Sequence, residues 1–244
     1  MKSVLILTKR EFFAYFATAA AWIFLIIFVA MSGLLTFYAG NFFGRNQADL
    51  QSFFAFHPWL YVLLVPAVSM RLWAEERRLG TIELLMTLPF STVDLVLGKF
   101  LAAWLFIGLG LLLTTPIWFT VNYLGQPDNG VILVSYLATF LIAGTFLSLG
   151  SCLSACTKSQ MVAFVLTMAA CFLLMLLGSD TLPVLFSDVA TEKTLKALRS
   201  FGFLMHFTSL TRGVLDLRDI LFFVSFIALF LFGTVVVLDR KKAL

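Results

Sequence analysis

The residues best suited to bind or react in this chain lie in one charged stretch between two long uncharged segments. The stretch is Arg71–Lys99, RLWAEERRLGTIELLMTLPFSTVDLVLGK. Its glycine and proline positions predict two short helical pieces, because Gly80 is suited to a left-handed helix end, Thr81 to a helix start and Pro89 to a helix stop. A short, well-bounded helix among charges is suited to recognition.

The helix predicted after Gly80 is amphipathic. Glu83 lies in its first turn, where a carboxylate interacts favourably with the helix dipole. Ile82, Leu85 and Met86 form one apolar face. Residue chemistry alone supports two interpretations of this face equally: it docks onto a partner protein, or it lies on lipid headgroups.

The stretch carries no motif for nucleotide hydrolysis. Gly98 and Lys99 lack the upstream glycine of a phosphate-binding loop, since Val93 stands there, and Phe100 follows where serine or threonine is required. The chain has no HExxH motif, no G-x-S-x-G motif and no cluster of histidine and cysteine ligands. We therefore expect no catalytic, cofactor-binding or metal-binding residues in this chain.

The cysteines and the first histidine are assigned structural roles. Cys152 and Cys156 share a face of a predicted span; a two-thiolate metal site is one interpretation, and close helix packing is favoured because small residues lie on the same face. Cys171 also falls within a predicted span, so no exported disulfide framework is indicated. His57 lies towards the outer end of its span, which is typical of an interfacial histidine.

The composition requires a membrane-embedded fold. Hydrophobic residues make up 61% of the chain and charged residues 12%, and soluble proteins carry about twice that charged fraction. Since about 20 apolar residues cross the hydrocarbon core as a helix, the uncharged intervals predict six spans in one all-α membrane domain, residues 1–244. The predicted spans are 18–40, 52–71, 93–123, 131–156, 159–179 and 219–239.

The segments outside the spans carry predictions of their own. Residues 1–17 place apolar and basic side chains on different sides, which predicts an interfacial helix. Residues 72–91 form the charged loop between spans two and three. Residues 180–217 form an outer loop with short helices, an outer helical hairpin between spans five and six, in which Thr191–Phe203 is predicted as an interfacial helix.

Six residues near the end of the outer loop are candidates for a structural or gating role. They are His206, Arg212, Gly213, Asp216, Arg218 and Asp219. Four of them, Arg212, Asp216, Arg218 and Asp219, are predicted to form a set of ion pairs.

The distribution of basic residues predicts the orientation of the spans. With both termini in the cytoplasm, eleven of the seventeen Lys and Arg residues lie on the cytoplasmic side. These are Lys2, Lys9, Arg10, Arg71, Arg77, Arg78, Lys99, Lys158, Arg240, Lys241 and Lys242. We therefore attribute the net charge of +4 to loop retention and attraction to anionic membrane lipid, with no nucleic-acid binding.

The charged stretch resembles the signature of type 2 ATP-binding cassette (ABC) exporter permeases. The matching residues are EERRLGTIELLMTLPFS, from Glu75 to Ser91, with Gly98 and Lys99; they fit an acidic pair followed by GT-x-E-x-L-x-x-x-P-x-S. The resemblance covers essentially the whole chain. It is closer to the gliding-motility-type (Gld) permeases, through MRLWAEERRLGTIELLMTLP and HFTSLTRGVLDLRD, than to a copper-enzyme maturation subfamily.

The resemblance implies a permease subunit of the bacterial cytoplasmic (inner) membrane, without a nucleotide site of its own. It implies an exporter or a force-transmitting device that dimerises with a second copy or a related permease. Two copies of a cytoplasmic ABC ATPase would bind ATP and Mg²⁺ and drive it, and Gld-type systems add an outer-facing auxiliary subunit. The substrate stays open.

The resemblance also implies roles for residues of the charged stretch. Thr81–Leu88 is then the cytoplasmic coupling helix, which docks onto the ATPase, and the N-terminal helix is a connecting helix that also touches it. The implied coupling residues are Glu75, Glu76, Gly80, Thr81, Ile82, Glu83, Leu85, Met86 and Pro89.

A second function is weighed against the permease. It is an ATPase-independent membrane enzyme or scaffold whose outer-facing polar site contains His206, Arg212 and Asp216. This hypothesis predicts no requirement for an ATPase partner. The absence of a nucleophile, a metal cluster or an acid/base pair favours the permease.

Overall fold

The computed structural model describes residues 2–45, 47–87, 90–178 and 202–242. All regular elements in these ranges are helical, and they are numbered here in chain order. They are α1 (Lys2–Phe16), α2 (Ala19–Leu34, continued by a π-helical turn at Leu35–Ala39), α3 (Gln51–Ser69), α4 (Ala74–Leu79), α5 (Thr81–Thr87), α6 (Thr92–Leu112), α7 (Pro116–Leu124), α8 (Asn129–Cys156), α9 (Gln160–Leu177), α10 (Phe203–Thr211) and α11 (Leu217–Lys242).

Six helical segments of the described ranges are long and apolar enough to cross a membrane. They are Ala19–Ala39, Gln51–Leu79, Thr92–Leu124, Asn129–Cys156, Gln160–Leu177 and Leu217–Arg240. The predicted all-α class with six spans is confirmed. Three of the six segments, which contain α3, α6 with α7, and α8, are mostly buried by the other helices, and the remaining three lie at the periphery.

The third span is broken between α6 and α7 because of Pro116. Proline has no N–H, so the carbonyl of Leu112 loses its normal helical partner. The Thr115 hydroxyl donates to that carbonyl at 2.8 Å, and the Thr114 hydroxyl donates to the Leu111 carbonyl at 2.6 Å. These two bonds satisfy backbone groups that lipid cannot, so the break leaves neither carbonyl unpaired.

Helix α8 lies at the centre of the bundle and contacts α3, α6, α9, α10 and α11. Small residues permit these close contacts. A side chain at Gly144 would meet the Trp104 indole at 2.7 Å, and one at Gly150 would clash with Ser69. Cys152 contributes to the same packing, since its sulfur lies 3.4 Å from where a Gly233 side chain would begin.

His57 is fully buried in α3, so its ring packs on protein and not on lipid headgroups, and its depth relative to the membrane interface stays a prediction. Its Nδ1 lies 2.8 Å from the carbonyl oxygen of Phe53, and its ring contacts the rings of Phe28, Phe53 and Tyr61. The Phe28 and Tyr61 rings stack at 5.7 Å across α2 and α3. The flat imidazole fits this aromatic layer, and the Phe53 carbonyl satisfies Nδ1, whereas the buried Nε2 has no hydrogen-bond partner among the described residues.

The two ends of the bundle carry different elements. The end with residues 74–87, called the motif end, also holds the start of α6 and the last turns of α11, because the Thr92 hydroxyl donates to Asp239 at 2.7 Å. The opposite end, called the distal end, holds α7, the start of α8 and α10, with Ser135 bonded to the Thr211 carbonyl. Part of the predicted outer hairpin, including Thr191–Phe203 up to residue 201, lies outside the described residues.

Candidate functional site

Helices α4 and α5 at the motif end are joined by a single residue, Gly80. Gly80 has φ 72° and ψ 7°, and its N–H donates to the carbonyl of Arg77 at 3.3 Å. The predicted left-handed cap is therefore present, in a conformation that residues with a Cβ rarely adopt. The α4–Gly80–α5 unit consequently has no flexible linker between its two helices.

A buried lysine holds this unit to the rest of the bundle. Lys99, in α6, is 7% exposed. Its Nζ lies 2.9 Å from Glu76 Oε1 in α4 and 3.4 Å from Glu11 Oε2 in α1. The hydroxyl of Thr81, which was predicted to cap α5, donates to the other Glu76 oxygen. One cation thereby links α1, α4 and α6, and Thr81 adds α5.

Lys99 owes its position to its neighbours as well as to the two carboxylates. Its Nζ lies 5.8 Å from the centre of the Trp73 ring, a distance at which the ring face attracts a cation. Two partners of opposite charge and an aromatic face offset the cost of removing an ammonium group from water. From the sequence, Lys99 was known as a failed phosphate-loop position, a basic residue of the cytoplasmic side and a part of the family motif, and neither its burial nor a role for Glu11 was predicted.

The turn before α4 is fastened to α8 by two serines. The Trp73 indole donates to Ser151 at 3.0 Å. The backbone N–H groups of Trp73 and Ala74 donate to the Ser154 hydroxyl at 3.2 and 3.1 Å, and Ser154 donates to the Met70 carbonyl at 3.1 Å. Ser154 thus satisfies the backbone between α3 and α4 from a neighbouring helix and links the start of α4 directly to α8.

Helix α1 packs along α6 beside this junction. Leu7 lies against Gly98, where a side chain would approach Leu7 Cβ to 2.8 Å. Tyr15 stacks on Phe106 with ring centres 4.9 Å apart. Desolvation, and secondarily the Glu11 carboxylate, raise the pKa of the Tyr15 phenol above its usual range, so Tyr15 stays neutral. The prediction that residues 1–17 lie in the membrane interface remains a prediction.

Among the residues of the α4–Gly80–α5 unit whose side chains the structure describes, four are exposed and form its outward surface. These are Arg78, Leu79, Gly80 and Glu83. Leu79 is 62% exposed, although leucine gains from burial. The surface therefore consists of an exposed leucine and a backbone turn, with two oppositely charged side chains beside them. Another protein can cover such a surface.

The predicted coupling residues do not all belong to this surface. Leu85 is turned inward and buried in the hydrophobic core, with Ile82 half-buried against it. Glu75 is half-buried, and Glu76 bonds to Lys99. Met86 lies in α5, and its side chain and the whole of Pro89 fall outside the described residues. The apolar face inferred for α5 therefore packs at least partly on the chain itself.

The candidate residues at the distal end are dispersed. His206 in α10 pairs with Asp219 in α11, with Nδ1 and Oδ1 2.7 Å apart and both side chains buried, and its ring stacks on Phe222 at 4.1 Å. Asp216 accepts the backbone N–H of Arg218 at 2.9 Å. The predicted ion-pair set is thus replaced, among the described residues, by a pair that includes His206.

The two remaining distal candidates have separate surroundings. Gly213 adopts φ 84° and packs against Val131, where a side chain would come within 2.7 Å. Arg212 lines a cavity of about 270 Å³ together with Asp49 and Asp128. His206 is not among the residues that line this cavity, which weakens the hypothesis of an outer enzymatic site that contains both residues.

We predict that His206→Ala lowers the free energy of unfolding by about 2 to 3 kcal/mol, because it leaves the buried Asp219 carboxylate without this partner. Asp219 Oδ2 already has no hydrogen-bond partner among the described residues. Thermal unfolding in detergent measures the effect, with the exposed Met205→Ala in the same helix as control. Equal melting temperatures for the two variants would contradict the structural role of the pair.

The architecture defines a class of protein: a multi-pass α-helical membrane protein with a charged, helical unit fastened at one end of its bundle. The sequence profile described as ABC-2 family transporter protein matches residues 5–243, and the chain belongs to this family. It is therefore a permease subunit of an ABC transporter. No curated protein matched the chain. Permeases of this family generally act with an ABC ATPase and often dimerise.

Proposed function

We propose that this chain is the permease of an ATP-driven exporter, and that the α4–Gly80–α5 unit is its contact with a separate ATPase subunit. The observation that carries the proposal is the junction at Lys99. A force applied to α5 is transmitted to α1 and α6 through the carboxylates that bind Lys99, and to α8 through the hydrogen bonds of Ser154. The unit is fastened on several sides, as an element that transmits force must be.

In the proposed reaction cycle, the partner ATPase binds ATP and Mg²⁺, and this chain contributes only a conformational change. Two ATPase copies close on ATP and displace the motif ends of two permease copies, which form a homodimer or pair with a related permease. Closure then moves the spans and opens a path between the two permeases. The excess of Lys and Arg in the segments at the motif end supports a cytoplasmic location for that end and for both termini.

The exposed surface of the unit supports the docking proposal. Leu79 supplies an apolar contact, and Arg78 and Glu83 flank it with opposite charges. Protein interfaces typically place an apolar side chain at the centre of a polar rim. Glu76, which bonds to Lys99, then belongs to the junction, and Glu75 is half-buried beside it in α4.

The gliding-motility-type subtype is part of the proposal and rests on the two sequence stretches around the motif and His206–Asp219. It adds an outer-facing auxiliary subunit, for which the distal end is the contact. The same assembly could move a substrate or transmit force to that subunit.

Affinity purification of the full chain from its native membrane in mild detergent tests this function. We expect a nucleotide-binding subunit in a one-to-one ratio by mass spectrometry, with vanadate-sensitive ATP hydrolysis. A third copurifying subunit supports the gliding-motility-type assembly. A chain that is recovered alone and without hydrolysis, under conditions that preserve other membrane complexes, would contradict the proposal and favour a lipid-facing role for α5.

A further inference from the structure

A long apolar groove lies between α1, α6, α7 and α8. It encloses a cavity of about 830 Å³. Leucines of α6 form one wall, Phe12 and Phe13 of α1 another, and Leu137 and Phe140 of α8 a third. Leu112 and Phe13 are 63% and 61% exposed, so the groove opens at the surface of the bundle.

One wall of the groove has about the length of one membrane leaflet. This wall, on the third span, runs from Leu105 in α6 to Thr115 at the break before α7, which at 1.5 Å per residue corresponds to about 15 Å. The hydrocarbon core of a bilayer is about 30 Å thick, so one leaflet accounts for about half of it. Gly108 faces the groove between these limits, and a side chain there would meet the Phe140 ring at 2.8 Å.

The two limits of the groove differ in chemistry. Lys9 and Thr8 of α1 line it at one limit, while Trp118 and Tyr136 line it at the other with their rings stacked at 5.7 Å. Neighbouring cations are already paired: Arg10 with Glu11 at 2.8 Å, and Lys99 with Glu11 and Glu76. Lys9 is exposed and forms no ion pair with any residue that the structure describes.

We infer that this groove binds an anionic phospholipid. One acyl chain fills the leucine-lined groove, and the phosphate is held by the Lys9 ammonium group. An apolar wall of leaflet length selects an acyl chain, since a peptide in the same place would carry backbone groups that the groove does not satisfy. The lysine selects the headgroup, because a cation near the membrane surface attracts anionic lipid.

The inference concerns binding and does not depend on an ATPase. A lipid in this groove touches α1 on the turn next to Glu11, which bonds to Lys99. A bound lipid therefore stabilises the position of α1, the helix whose Glu11 binds Lys99. Binding can be measured whether or not the proposed transport function holds.

Native mass spectrometry of the purified full chain, titrated with phosphatidylglycerol or phosphatidylcholine of identical acyl chains, tests the inference. We expect about fivefold tighter binding of phosphatidylglycerol, the contribution of one lysine. Lys9→Gln should abolish this preference, with Lys158→Gln as the matched control. Leu112→Trp should weaken the binding of both lipids by filling the groove, with the equally exposed Leu229→Trp as control.

Two outcomes would overturn the inference. The first is equal affinity of the wild-type chain for the two lipids, or a preference that survives Lys9→Gln. The second is a shift from dimer to monomer with Leu112→Trp and not with Leu229→Trp, because that result would assign the groove to a second copy of the chain.

Discussion

Lys99→Met is expected to abolish the coupling of ATP hydrolysis to this permease and to lower its melting temperature by about 5 °C. The methionine has a similar length and no charge, so the Glu11 and Glu76 carboxylates lose their shared cation and repel each other. Breaking a buried ion pair by removing one partner costs up to about 3 kcal/mol when the remaining charges are partly accessible, which for a chain of this size corresponds to several degrees.

The measurement pairs thermal unfolding with ATPase activity of the assembled complex. Lys99→Arg keeps the charge and should retain most of both properties. Glu76→Gln should be more harmful than Glu11→Gln, because Glu76 lies closer to Lys99 and also binds Thr81. If Lys99→Met left both stability and coupling at wild-type values, the junction would have no role in holding the unit.

Leu79→Asp is expected to reduce ATPase binding and stimulated hydrolysis by about tenfold or more while leaving the fold unchanged. Leu79 is 62% exposed at the turn between α4 and α5, so an aspartate there costs little in the isolated chain. In a docked complex it buries an unpaired charge at the centre of the contact, where a few residues carry most of the binding energy. Glu83→Lys, on the exposed side of α5, should act in the same direction.

Matched variants separate docking from folding. Leu215→Asp, at a leucine of 59% exposure near the distal end, should bind the ATPase like the wild type. Leu85→Asp is a different experiment, because Leu85 is buried in the core and its replacement should lower the melting temperature directly. If the Leu79→Asp and Glu83→Lys variants both bound the ATPase as tightly as the wild type, the exposed surface would not be the docking site.

Features that depend on a few consecutive residues were predictable. The left-handed conformation of Gly80 follows from the absence of a Cβ. Ser91 accepts the Asp94 N–H at 3.1 Å at the start of α6, because a serine three residues before an acidic residue favours a helix start. The break before Pro116 follows from its missing N–H.

Features that depend on which helices become neighbours were not predictable from local pattern. Glu11 and Lys99 are 88 positions apart, and Ser154 lies more than 80 positions from Trp73 in the chain. Neither distance leaves a signal in composition or periodicity. The only local hint was a lysine at the edge of a long apolar run, since a charge placed there needs a partner.

The sequence by itself determined the all-α class, the six spans, the bounded motif and the family resemblance, because hydropathy and backbone restrictions act over short distances. The tertiary structure alone decided which face of the motif is free. Leu85 faces the core and Leu79 remains exposed because α4 and α5 are fixed from α1, α6 and α8. It likewise placed His57 in an aromatic layer and paired His206 with Asp219. These outcomes depend on helix packing, which brings together residues that are distant in the chain.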